Sequence, residues 1–246
     1  MSRISILMYH QVGEFSRPGA HRSTYCHIRR FRMQMAYLRV ARIPVLSLDD
    51  AFAILFGGRP FHGHGVVLTF DDGDRSFADF AHPVLARYGF PASVFVVSAL
   101  IGRPAAWFAD DGREAPEIMD SETIRRLRRM NVTFGPHTLS HPRLSRMDTD
   151  RIVREVADSK AQMEALLGET MEFFCYPYGD YDERVVDAVK QAGFRGALSC
   201  IRGSAVPGDE DPFQLPRKAI SFGDTLPGFW WKLHVKNRKK HQPGGY

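Results

Sequence analysis

Short apolar runs alternate with amphipathic stretches about seven times along these 246 residues, and few architectures accept that order. Ile4-Ser5-Ile6-Leu7-Met8-Tyr9 reads as a first strand. Phe31, Met35 and Leu38 share one helical face, and Pro44-Val45-Leu46 reads as the next short strand. Asp49 or Asp50 is the expected cap of a helix through Phe56. Val66 to Phe70 is an uninterrupted strand, followed by a helix over about 76–87 and a strand over 92–97. Residues 102–116 lack periodicity and predict a long loop. Helices over about 121–130, 150–167 and 183–191 then alternate with strands over 132–134, 172–175 and 194–198. This order predicts a parallel sheet, open or closed into a barrel, with its chemistry at the C-terminal strand ends.

An apolar share of 44% and this length suit a single domain with a large core. The net charge of +5 owes much to Lys232, Lys236, Arg238, Lys239 and Lys240. A solvated tail accounts for that cluster, and contact with an anionic membrane surface is the sharper alternative. A basic tail alone is weak ground for nucleic-acid binding, and none is expected. Cys26, Cys175 and Cys200 form no Cys-x-x-Cys pair, which fits a reducing compartment. The apolar runs 4–9 and 226–231 are too short for a signal core or a membrane span, so a cytoplasmic location is expected, with peripheral membrane contact through the basic C-terminus as an option.

The run Val66-Val67-Leu68-Thr69-Phe70-Asp71-Asp72-Gly73 carries the first chemical signal. Neighbouring side chains on a strand point to opposite faces. Asp71 and Asp72 can therefore share a site only where the strand gives way to a loop. Two acids there suit one to hold a cation and one to move a proton; a helix cap and surface turn is the plain alternative, with Asp74 a further cap. His137-Thr138-Leu139-Ser140-His141-Pro142 places two imidazoles four apart. On a helical turn that spacing puts both on one face, and an added carboxylate completes a His, His, Asp set with an open position. His10, Asp71, Asp72, His137, His141 and Tyr178 all follow expected strands.

Thr69-Phe70-Asp71-Asp72-Gly73, His137-Thr138-Leu139-Ser140-His141-Pro142 and Tyr176-Pro177-Tyr178-Gly179 together resemble the polysaccharide deacetylase family, the fourth family of carbohydrate esterases. The resemblance covers residues 1 to about 220 and implies an α/β fold, a distorted (β/α)7 barrel in a single domain. The expected division is a barrel over 1–225 and an aromatic, basic tail over 226–246. It implies metal-dependent removal of an N-acetyl group from an amino sugar, with zinc the usual metal and cobalt or nickel as substitutes. By position, Asp71 resembles the general base, and Asp72, His137 and His141 resemble the metal ligands. The backbone N–H of Tyr178 resembles the oxyanion donor.

Two departures stand out. Cys175 occupies the place where the family carries an Arg that pairs with the base, and Arg217 is expected to replace it; a surface salt bridge is the alternative use of Arg217. The family's C-terminal His has only Leu233-His234 as a counterpart. Met8-Tyr9-His10 resembles instead the circularly permuted exopolysaccharide N-deacetylase branch, in which this histidine acts as the general acid. Trp107 is a candidate sugar platform, with buried packing the alternative use of its ring. The rival readings are an O-deacetylase or other amide or ester hydrolase on the same site, and a glycan-binding pseudoenzyme.

Overall fold

The computed structural model describes residues 2–18, 20–111 and 114–239. Seven parallel strands form a nearly closed barrel. They are β1 (Arg3–Tyr9), β5 (His64–Phe70), β6 (Ala92–Val96), β7 (Val132–Pro136), β8 (Phe173–Cys175), β9 (Gly196–Arg202) and β10 (Leu215–Ala219). Their order around the wall is β7-β6-β5-β1-β10-β9-β8. A short strand β4 (Val45–Leu46) pairs with the first half of β5, and β6 takes the same edge further along. Strands β2 (Gln11–Gly13) and β3 (Tyr25–His27) pair separately beside the barrel mouth.

The helices are α1 (Ile28–Val40), α2 (Leu48–Phe56), α3 (His82–Tyr88), α4 (Ser121–Arg128), α5 (Thr149–Leu167), α6 (Glu183–Gln191) and α7 (Leu226–His234). Ser47 Oγ accepts the Asp50 N–H and caps α2, so Asp49 and Asp50 lie inside the first turn and are not the cap. The expected helix over 76–87 is split: a π-helical turn, Phe77–Ala81, precedes α3. Asp120, Asp148 and Asp182 cap α4, α5 and α6 through side-chain oxygens. The expected long loop contains a 3-10 turn, Ala106–Asp111, which carries Trp107.

Strand alternation divides two apolar layers. Ile4, Ile6, Val67, Phe95, Phe173, Leu198 and Leu215 fill the barrel interior together with Leu48, Ala51, Ile54 and Leu55 of α2. Leu7, Tyr9, Leu68, Phe70, Val94 and Val96 face outward against the helices, where Phe31, Met35 and Leu38 of α1 are buried. At the seam, a Cβ on Gly135 of β7 would lie 2.6 Å from the Phe173 carbonyl oxygen of β8, so only glycine allows this approach.

Leu215-Pro216-Arg217, which follows the last of the expected strands, lies within the additional strand β10. Pro216 lies at a register shift between the Leu215–Leu198 and Arg217–Arg202 pairs, where an irregular ladder tolerates a missing N–H. Residues 226–234 of the expected tail are helix α7, whose Phe229 and Leu233 are fully buried. Trp230 and Trp231 remain about half exposed, at 46% and 50%. Residues 240–246 lie outside the described residues. Among the described residues no helix is long and apolar enough to cross a membrane.

Candidate active site

A cavity of about 340 Å³ opens at the C-terminal end of the barrel. His10, Asp71, Asp72, Trp107, His137, His141 and Tyr178 all line it. Arg217 lies beneath, fully buried against Asp71. All eight residues singled out from the sequence therefore meet at one end of the barrel.

The turn after β5 shows how adjacent acids reach one site. Asp71 continues the inward face of the strand, as its N–H still donates to Tyr9 O. Asp72 and Gly73 both take left-handed backbone angles, with φ 74° and φ 78°. These angles turn the chain and bring the Asp72 carboxylate back over the mouth. A Cβ on Gly73 would fall 2.9 Å from Val96, so position 73 has both a conformational and a steric demand for glycine. Asp74 Oδ1 accepts the Ser76 N–H, and its Oδ2 has no partner among the described residues.

Asp72 Oδ1 lies 3.6 Å from His137 Nε2 and 3.4 Å from His141 Nε2. His137 and His141 do not sit on a helical turn. Their segment is a loop in which Thr138 and His141 have φ near +65°. Thr138 Oγ1 accepts the His141 N–H at 3.0 Å and closes the loop. Glu155, from α5, accepts the N–H groups of Leu139 and Ser140 and the Ser140 hydroxyl. Glu155 had no motif signal; it reads as an ordinary polar position on a long helix.

The donors fit a divalent cation. His137 Nδ1 donates to the Cys175 carbonyl at 2.7 Å, which leaves the Nε2 lone pair facing Asp72. Burial pushes the His137 imidazole down to about 4, so it is neutral near pH 7. His141 Nδ1 is 3.1 Å from the Tyr178 hydroxyl. Burial opposes ionisation of Asp72, but hydrogen bonding to His141 and the charges of nearby histidines hold its carboxyl well below the usual range. Two imidazoles and one carboxylate with mutually close ligand atoms form a set suited to zinc-like ions. Asp71, His137 and Cys175 also approach one another. That set does not suit a cation, because burial pushes the Cys175 thiol well up and Arg217 occupies Asp71.

Arg217 reaches Asp71 with a two-pronged contact, Nη1 to Oδ1 at 2.7 Å and Nη2 to Oδ2 at 2.8 Å. Its Nε donates to Ser199 O, and Nη2 is 3.2 Å from Cys175 Sγ. The cation thus crosses from β10 into space that Cys175 leaves open on β8. Burial raises the Asp71 carboxyl, and the adjacent guanidinium more than offsets it, so the net position is below the ordinary value.

His10 follows β1, and its Nδ1 is buried without a hydrogen-bond partner among the described residues. His234 is held elsewhere: it contacts the Tyr37 hydroxyl at 2.8 Å and lies beside His64, at the start of β5. Trp107 stacks on the His141 ring, with centroids 4.1 Å apart. Tyr178 and Gly179 both have positive φ, and a Cβ on Gly179 would meet Cys200 Cβ at 2.5 Å. His21, Ser23, Thr24 and Arg143 also line the cavity, and Arg143 sits over the Tyr178 ring at 4.4 Å. Nothing in the local sequence marks these four; the mini-sheet of β2 and β3 brings the first three to the mouth.

Residues 58–197 match the family model for polysaccharide deacetylase. The Bacillus subtilis protein YxkH is 23% identical over 222 residues, covering 90% of this chain and 73% of that protein. A poly-beta-1,6-N-acetyl-D-glucosamine N-deacetylase of Staphylococcus aureus is 22% identical over 204 residues, covering 78% of this chain and 66% of that protein. The fold is similar to that of the Streptococcus pyogenes deacetylase PplD, solved in complex with acetate, with a TM-score of 0.81 at 21% identity over 94% of this chain and 98% of that one.

Proposed function

This chain belongs to the polysaccharide deacetylase family, and we propose that it removes an N-acetyl group from an amino sugar of a glycan or glycan precursor, releasing acetate. The observation that carries this reading is the buried Asp72, His137, His141 cluster beside an Asp71 held by Arg217, all at one cavity. The staphylococcal relative's named substrate and the acetate in the streptococcal complex support the same reaction class.

Asp72, His137 and His141 would hold the cation, most simply zinc given two nitrogens and one carboxylate. Such an ion supplies Lewis acidity toward the acetyl carbonyl and lowers the pKa of bound water to about 7. Asp71, kept ionised by Arg217, accepts the proton of the attacking water; each carboxylate oxygen keeps a second lone pair while bonded to the guanidinium. His10 gives a proton to the departing nitrogen. The Tyr178 backbone N–H serves the developing oxyanion. Trp107 restrains His141 and offers its edge as a wall for the sugar.

Acetate release is the direct test, using β-1,6- and β-1,4-linked N-acetylglucosamine oligomers. Turnover should fall at least about 100-fold on chelation and return with one equivalent of zinc. Stoichiometric metal with no acetate from any N-acetylated sugar would favour the pseudoenzyme. His10→Ala should keep one metal per chain and lower kcat by roughly 10²–10⁴-fold, the usual range for a lost acid or base. Loss of metal in that variant would make His10 a ligand instead.

A further inference from the structure

A second cavity, about 490 Å³, lies on the other side of the β9–β10 wall. Arg202, Lys218, Lys232, Lys236 and Arg238 line it, and no carboxylate among the described residues does. Ser23 lines this cavity and the catalytic one alike, so the two abut at the barrel mouth. Strand alternation creates the pairing of sites. Arg217 of β10 faces inward to Asp71, and the next residue, Lys218, faces outward beneath α7.

The five cations are not equivalent. Lys232 pairs with Asp224 and donates to Ala219 O. Lys218 is 5% exposed and has no carboxylate partner among the described residues; its ammonium donates to Lys232 O, Leu233 O and Asn237 Oδ1. Burial, with Arg3 nearby, lowers its pKa to about 7, so an anion in the cavity would favour the charged form. Lys236 and Arg238 are exposed, and neither has an ion pair among the described residues. A concave surface of one charge sign concentrates counter-ions, and Arg with Lys suits phosphate oxygens.

We infer that this cavity takes the phosphate groups of a glycosyl phosphate or diphosphate whose acetamido group lies in the adjacent catalytic cavity. The inference rests on the deacetylase reading and narrows its substrate class. A 2-acetamido sugar carries its anomeric phosphate on the neighbouring carbon. One such molecule therefore demands two adjoining pockets, one for the acetyl group and one anionic. Nucleotide-linked and lipid-linked sugars share this chemistry, and the exposed Trp230 and Trp231 lie on the helix that contributes Lys232.

The test compares acetate release from a uridine-diphosphate-linked N-acetylglucosamine, a polyprenyl-diphosphate-linked one in detergent, and a neutral N-acetylglucosamine oligomer. The wild-type protein should prefer at least one phosphorylated substrate by tenfold or more in kcat/KM. Lys236→Glu combined with Arg238→Glu should cut that preference at least tenfold, mainly through KM. The preferred donor identifies the source of the phosphate. Turnover of the oligomer alone, or a preference the double variant leaves intact, overturns the pocket while sparing the deacetylase reading. If no substrate releases acetate, calorimetric titration with inorganic pyrophosphate decides: binding weakened tenfold in the double variant supports the pocket, and absent or unaltered binding overturns it.

Discussion

Asp72→Asn is expected to abolish stoichiometric metal binding and to cut acetate release by roughly 10³-fold or more, since the cation's chemistry goes with it. The substitution keeps the side-chain shape, and Asn tolerates the left-handed backbone that Asp72 adopts. What it removes is the one anionic donor that faces both His137 Nε2 and His141 Nε2 among the described residues. Two imidazoles then face a divalent ion without charge compensation. Elemental analysis beside a melting curve separates the effects: metal lost with the fold intact is the expected pair. Retention of one metal per chain would move the ligand role away from Asp72.

Arg217→Met should destabilise the fold by about 3–5 kcal/mol at neutral pH, because it strands a buried carboxylate. Asp71 and Arg217 are both almost wholly buried, at 3% and 1% exposure, so solvent cannot replace the lost partner. The pH dependence has a definite sign. Arg217 holds the Asp71 carboxyl below its ordinary value, and the stability this contributes is present above about pH 4 and lost as pH falls through the folded pKa. Without Arg217, burial dominates and the Asp71 pKa rises above its ordinary value. The variant's acid limb in kcat/KM should therefore move to higher pH by a unit or more. Its stability deficit should shrink from pH 8 toward pH 5, as Asp71 takes up a proton. Arg217→Lys should recover part of the stability, since it restores charge without the planar fork. An unchanged pH profile in Arg217→Met would show that Asp71 is tuned by another group.

The strands around Ile6, Val67 and Val94 could be read because apolar periodicity is local, and buried parallel strands write it into five or six consecutive residues. α7 was missed because its apolar face is narrow, with Phe229 and Leu233 alone fully buried and Trp230 and Trp231 outside. β10 was missed because Pro216 breaks the local pattern, and only the bulge against β9 makes room for it. The His137–His141 spacing pointed to a shared site, but by a left-handed loop that Glu155 clamps instead of a helical turn.

The sequence by itself determined the parallel α/β class, the acids at the end of β5, the histidine pair and the family, whose resemblance implied a barrel, since each is written in contiguous residues or ordered motifs. Only the tertiary structure decided between Arg217 as the partner of Asp71 and Arg217 in a surface salt bridge. Strand order places β10 between β1 and β9, and this brings Arg217 against Asp71 across 146 residues of sequence. The same strand turns Lys218 to the opposite face and opens a basic cavity there. Such pairings depend on register and topology, whose determinants are spread over the whole chain, so local sequence leaves the alternatives open.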